Sequence, residues 1–225
     1  MDSSKIEQAV KRLERNLPLR QNQMNLPQPL RLLHQAILRH YLEQGRAPQA
    51  DELDYAGDCL SAIAKLGQEK IIVLDSSGAI TGAYPFVDEQ REFRVISQHG
   101  AVNAMCAFDA LAVSSMFSLP TRIESRCRLS GQGIAIEQDD AVIRVIAPNT
   151  QVFGAIDWDA RDGAQNCSAS LCTEMMFIAG NDNATGWRNQ DRANRELFTL
   201  EQAWRFISTV FVPLMQPDPV CEKSA

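Results

Sequence analysis

Much that would direct a first reading is missing from this chain of 225 residues. It has only three histidines, His34, His40 and His99, too scattered to make a zinc pattern. None of its six cysteines (59, 106, 127, 167, 172 and 221) forms a Cys-x-x-Cys pair. Their irregular spacing, in a chain of this size, argues against a secreted disulfide framework. There is no glycine-rich phosphate loop and no internal repeat. No run of about 18 apolar residues exists, which argues against a transmembrane helix. The N-terminal stretch MDSSKIEQAVKRLERN is charged and lacks the apolar core of a secretory signal. Together these absences predict a cytoplasmic protein, off the membrane, with free thiols. The default role of such a thiol is a small buried hydrophobe, and any chemical role has to be argued against that default.

What is present is enough apolar material for a proper core: 45% of residues are hydrophobic, in a length that suits one large domain or two small ones. Net charge is −6 and uneven, with +4 over residues 1–50 and −10 over the remainder, which is no general nucleic-acid surface.

Residues 1–29 read as a weakly amphipathic arm followed by a Pro-, Gln- and Asn-rich linker. From Pro29, apolar residues recur at helical spacing through Leu33, Ile37 and Tyr41, with Gly45 as a stop. A short helix over 51–56, a third ending near Gly67 and a hairpin (IIVL, DSSG, AITGAYPF) complete a winged-helix-like module over 30–87. Asp51, Glu52, Asp54 and Asp58 stand where phosphate binding would need Lys or Arg, so a structural module is preferred to a DNA reader.

Residues 88–216 form the second unit. A helix is expected over 101–117. TRIESRCRL alternates as a strand, with Ile123, Ser125, Cys127 and Leu129 on one face, IAIE and AVIRVIAP follow as strands of an antiparallel meander, and QVFGAI reads as a further strand. Residues 157–168 read as a mobile loop, SLCTEMMFIAG as a buried strand with Cys172 near its start, and 181–194 as a polar loop. Thr199 and Gln202 make a capping box for an amphipathic helix ending near Pro213. Residues 217–225 read as a loose tail. The expected class is α+β: a winged-helix-like module packed on an antiparallel-sheet domain with covering helices.

The chemistry concentrates in HGAVNAMCAFDALAVSSMFSLP, residues 99–120. Cys106 and Asp109 stand three apart, one helical turn from each other. A carboxylate among Ala, Phe, Leu, Val and Met is costly to bury unless it has a partner or a task. Isolated cysteines with one carboxylate in apolar surroundings suit a soft metal ion of low coordination number better than tetrahedral zinc. Burial would raise the carboxyl pKa towards neutrality, where it can exchange protons with thiols.

MCAFDAL, then ESRCRLSG, and later SLCTEMMFIAG resemble the organomercurial (alkylmercury) lyase family, more weakly over about 30–213. The resemblance implies that Cys106, Asp109 and Cys172 are catalytic and hold mercury as substrate and product, and that Cys127 is structural. It implies cleavage of carbon–mercury bonds by protonolysis, giving a hydrocarbon and Hg(II) in a mercury-detoxifying role. No cofactor is needed, and small thiols and a mercuric reductase would accept the metal. Two positions depart from the family pattern: Met105 where Trp often precedes the first cysteine, and Thr173 and Glu174 where some members carry a second Cys or His. Cys167, by its place in the loop 157–168, reads as a simply exposed thiol, with a spare or relay thiol as the alternative. The alternatives are a non-enzymatic soft-metal-binding protein of the same fold and a winged-helix thiol-sensing regulator.

Overall fold

A computed structural model describes residues 2–161 and 167–216. The chain opens with α1 (Asp2–Asn16) and α2 (Leu19–Met24), followed by α3 (Gln28–Gln44) and α4 (Cys59–Gln68). The weakly amphipathic start of the chain is the helix α1, and the stretch 17–29, expected as a linker, holds α2 and the first residues of α3. Ala9, Leu13, Leu17 and Leu19 are buried, and both short helices pack against the C-terminal helix α7 (Leu200–Met215). Lys5 sits over the Phe198 ring and Arg12 over the Trp158 ring, at 4.4 and 4.7 Å from the centroids. The charges that make α1 look like a solvated arm therefore also tie it to the second half of the chain.

α3 ends where the sequence predicts. Gly45 adopts φ +71°, and a Cβ there would meet the Ala101 carbonyl oxygen at 2.6 Å, so only glycine lets the helix stop this close to the sheet. The expected helix over 51–56 is a single 3₁₀ turn, Ala50–Glu52, closed by a reciprocal Gln49–Glu52 cap and ended by Leu53 in extended conformation. Asp58 caps α4 by accepting from Ser61 N at 3.1 Å.

The hairpin after α4, β1 (Ile72–Leu74) and β2 (Ile80–Ala83), joins a larger sheet. With β3 (Phe86–Val87), β4 (Phe93–Ser97), β5 (Gly100–Ala104), β6 (Thr121–Arg126), β7 (Gly133–Asp139) and β8 (Val142–Ala147) it forms eight strands in the order β1-β2-β3-β5-β4-β6-β7-β8. All its pairings are antiparallel, and β3 pairs with β5 across residue 87, where the two units were expected to meet. A second antiparallel sheet has β9 (Val152–Asp157) between β10 (Met175–Ala179) and β11 (Arg195–Thr199). The expected meander is β6, β7 and β8, and QVFGAI is a strand as expected, β9 of the other sheet.

The expected helix over 101–117 is two elements. β5 covers the first residues and α5 (Ala107–Phe117) the rest. α5, apolar apart from Asp109, Ser114 and Ser115, is almost wholly buried, packed on β4 to β7 of the large sheet, on β10 of the small one and on α7. Its Phe108 meets Phe198 and Phe206 at centroid distances of 5.7 and 5.6 Å. Opposite lies Gly154, where a Cβ would come within 2.9 Å of the Phe108 ring and 3.1 Å of Ala203 Cβ. A side chain there would push α5 and α7 off β9.

Three further expectations are corrected. The polar stretch 181–194 holds a helix, α6 (Asn181–Gln190), pinned by buried Ala184 and Trp187. The expected mobile loop 157–168 buries Trp158 and Cys167, and its residues 162–166 lie outside the described residues. Leu129 is 45% exposed, so it does not share the core face of Ile123 and Cys127. The α7 capping box is present as expected, with Thr199 and Gln202 exchanging side chain-to-backbone bonds at 3.0 and 3.2 Å, although the helix runs through Pro213 to Met215. The expected tail 217–225 lies outside the described residues, and with it Cys221. Among the described residues no helix is long and apolar enough to cross a membrane.

Candidate active site

The site begins where β5 turns into α5. Met105 N donates to Pro85 O at 2.9 Å, holding the end of β5 against the chain that leads into β3. Cys106 follows as the N-cap of α5, with extended backbone and its sulfur accepting from Asp109 N at 3.3 Å. The thiol and carboxylate do share one turn, but Cys106 stands at the helix entrance and not within the helix. A sulfur there faces the unpaired N–H groups of the first turn, which favour negative charge.

Cys172 arrives from the other sheet. It was expected on a strand, and it lies on the 3₁₀ turn Leu171–Glu174 that feeds β10. The turn is held by Thr173 N donating to Ser170 O at 3.0 Å and by Arg128, which donates to the Thr173 carbonyl. Because α5 packs on β10, this turn is brought to the N-terminus of α5. Cys106, Asp109 and Cys172 converge: their sulfur and carboxylate-oxygen atoms all lie within 4.8 Å of one another, and all three residues are buried. Cys127 is not one of this group. It lies beyond β6, fully buried, and accepts from Ala179 N at 3.4 Å.

Burial governs the electrostatics. It pushes the Asp109 carboxyl up to about 7, against the opposing pull of the Cys106 thiol and the Arg91 charge. Asp109 Oδ2 is buried without a hydrogen-bond partner. Burial likewise pushes the Cys106 thiol up to about 11. Cys172 is raised as well, through its contact with Cys106 first, then with Cys167, then through burial. Near neutral pH the resting site therefore holds protonated thiols beside a carboxyl poised to gain or lose a proton.

Three neighbours carried no signal in the sequence. Arg91, in a segment that reads only as polar, donates from one nitrogen to Met105 O and Ser168 O, both at 3.0 Å. Met175, in an apolar strand, brings its sulfur to 3.9 Å from Cys106 Sγ. Tyr84, in the hairpin, accepts from Ser168 N at 3.1 Å. A fourth, Cys167, reads from its loop as an exposed thiol, yet it is buried and its sulfur lies 3.7 Å from Cys172 Sγ. A linear S–metal–S unit spans roughly 4.6 Å if each bond is about 2.3 Å, as for zinc thiolates. Two sulfurs no more than 4.8 Å apart can take up such an ion with little rearrangement.

A search of curated proteins finds no match. The chain resembles a solved structure, the mercury-bound form of MerB2, with TM-score 0.69 and 18% identity over 88% of this chain and 98% of that one. At that identity the likeness speaks to the fold. The family model for alkylmercury lyase (MerB) matches residues 86–212, more than half of the chain and all of the segment that carries Cys106, Asp109 and Cys172, so the chain belongs to the alkylmercury lyase family.

Proposed function

We propose that this chain cleaves carbon–mercury bonds by protonolysis, with Cys106 and Cys172 as mercury ligands and Asp109 as proton carrier. The observation that carries the proposal is the buried Asp109 carboxyl, with one oxygen unpartnered and a pKa near 7, within reach of two thiols. Holding a soft metal needs only sulfur. A carboxyl kept at this protonation balance, at the cost of burying it, suits proton transfer.

The substrate arrives as R–Hg–SR′. One site thiol displaces R′SH and forms a mercury–sulfur bond. The second thiol passes its proton to the Asp109 carboxylate and adds to mercury, and two sulfur donors push electron density onto the attached carbon. Asp109 then delivers the proton to that carbon. The C–Hg bond breaks, R–H leaves, and mercury stays Hg(II) on two thiolates with no change of oxidation state. The metal comes with the substrate, so no resident cofactor is needed. Small thiols, or the cysteine pair of a mercuric reductase, are the fitting acceptors in a reducing cytoplasm. The winged-helix-like part, residues 30–87, fits a scaffold better than a nucleic-acid reader, because Glu52 is paired with Arg46 and Asp58 is occupied as a helix cap.

The test is hydrocarbon release from an organomercurial in excess thiol, measured beside bound mercury. Wild type should release hydrocarbon. Asp109→Asn should still take up inorganic Hg(II) but lose protonolysis by roughly 10²–10⁴-fold. A wild type that binds mercury and releases no hydrocarbon from any organomercurial would favour the metal-binding alternative instead.

A further inference from the structure

The sulfur cluster does not end with Cys106 and Cys172. Cys167 Sγ lies 3.7 Å from Cys172 Sγ. Its short 3₁₀ turn, Cys167–Ala169, is fixed on two sides by the next residue. Ser168 O accepts from Arg91, the same guanidinium that holds Met105 beside Cys106, and Ser168 N donates to the Tyr84 hydroxyl. The three cysteines are graded in exposure at 0%, 3% and 7% for Cys106, Cys172 and Cys167, which makes Cys167 the outermost.

That order matters for product release. Hg(II) on two thiolates exchanges ligands by accepting an incoming sulfur before an outgoing one leaves. All three cysteines are buried, and an outside thiol reaches mercury least readily on the pair that includes Cys106, the deepest of them. Cys172 is shared by two sulfur pairs, one inward with Cys106 and one outward with Cys167.

We infer that Cys167 is an exit ligand, which takes the Hg(II) product from Cys106 and presents it, on the Cys172–Cys167 pair, to an outside thiol. The inference rests on the proposed lyase reading for the origin of the metal. In the transfer step the Cys167 sulfur bonds to mercury, the Cys106–mercury bond breaks, and the proton of the incoming thiol ends on Cys106. Mercury remains Hg(II) throughout. The 3.7 Å separation widens by roughly 1 Å to hold linear mercury, within the range of a cysteine χ1 change.

The test uses inorganic Hg(II), so it does not depend on protonolysis. Full-length wild type, Cys106→Ser, Cys167→Ser and Cys106→Ser/Cys167→Ser are loaded with one equivalent. Sulfur neighbours of mercury are counted by X-ray absorption, and transfer to dithiothreitol is timed. Cys106→Ser should keep mercury on two protein sulfurs, and the double variant on one. Cys167→Ser should slow transfer by roughly 10- to 100-fold, the scale seen when an auxiliary residue of a metal site is removed. Cys167→Ala serves as a second variant with no buried hydroxyl. If Cys106→Ser and the double variant show the same sulfur count, and both Cys167 variants transfer at the wild-type rate, the exit-ligand role is wrong. Hydrocarbon release from an organomercurial by wild type, measured in parallel, shows whether the lyase reading stands independently.

Discussion

Two regions of this molecule bury a cysteine completely, the entrance of α5 with Cys106 and the turn beyond β6 with Cys127. Both sulfurs accept a backbone N–H, from Asp109 at 3.3 Å and Ala179 at 3.4 Å. Their titrations run in opposite directions. Burial pushes Cys106 up to about 11. At Cys127 burial also acts upward, but the N–H of Ala179 and groups of Ser130 and Leu129 outweigh it and hold the thiol below its ordinary value. A search for the most easily ionised thiol would choose Cys127, which has no second thiol or carboxylate beside it in the metal-ligand grouping. Company, and not intrinsic acidity, distinguishes the two. In the reaction proposed above, a soft electrophile with a base at hand needs no preformed thiolate, because metal bonding and proton transfer to Asp109 would take place together.

The largest effect should separate the regions outright. Cys106→Ser and Cys172→Ser should each lower hydrocarbon release by at least about 10⁴-fold, the scale of losing one member of a unit that acts together. Circular dichroism and thermal melting should remain those of a folded protein, since serine is close in size. A Cys106→Ser enzyme turning over within tenfold of wild type would erase the distinction between the two sites.

Asp109 sharpens the comparison through stability. Its carboxyl is raised from an ordinary carboxylate value to about 7 by burial. The native state therefore keeps a proton that the unfolded state has already lost between about pH 4 and pH 7. In that window stability falls as pH rises, the reverse of a salt-bridged aspartate, and the full cost is present above about pH 7. Asparagine cannot ionise, so the stability of Asp109→Asn relative to wild type should climb from pH 4 to pH 7 and then level off. At about 1.4 kcal/mol per pKa unit, the climb is on the order of 4 kcal/mol. Urea unfolding of both proteins at a series of pH values measures it. A difference that stays flat across the range would mean that Asp109 titrates normally and is no neutral-pH proton carrier.

The sequence carried some of this and not the rest. The Cys106–Asp109 spacing and the apolar run around it were readable, because one turn of helix relates them directly. The α7 capping box and the Gly45 stop were readable for the same reason: each is a local rule within four residues. The meeting of Cys106 with Cys172, 66 positions later in the chain, depends on α5 packing against β10, and no local pattern encodes it; the family resemblance did. α6 was invisible because NDNATGWRNQ is rich in poor helix formers, and burial of Trp187 and Ala184 overrides that preference. β5 reads as part of the helix because GAVNA is small and, apart from Asn103, apolar, and because cysteine is not among the usual helix caps. α1 was hidden by its charges, two of which are spent on aromatic faces contributed by distant parts of the chain.

The smallest expected effect is on turnover at Cys127, and it closes the comparison from the other side. Cys127 lies at the ends of β6 and β10, where its sulfur accepts from the N–H of Ala179, the last residue of β10. Serine is shorter by the difference between a C–O and a C–S bond, so its oxygen sits farther from Ala179 N and leaves a buried hydroxyl poorly paired. Cys127→Ser should cost roughly 1–3 kcal/mol in chemical denaturation. Cys127→Ala removes the hydroxyl and replaces that penalty with a small cavity, separating the polar from the packing part of the loss. Per folded molecule, hydrocarbon release by both variants should stay within about twofold of wild type, because additivity holds for sites that share no partners. Active-site titration with Hg(II) normalises the rates to folded protein. A folded Cys127→Ala variant that has lost turnover would mean that the turn beyond β6 positions the Cys172 segment through β10, and Cys127 would then belong to the working site after all.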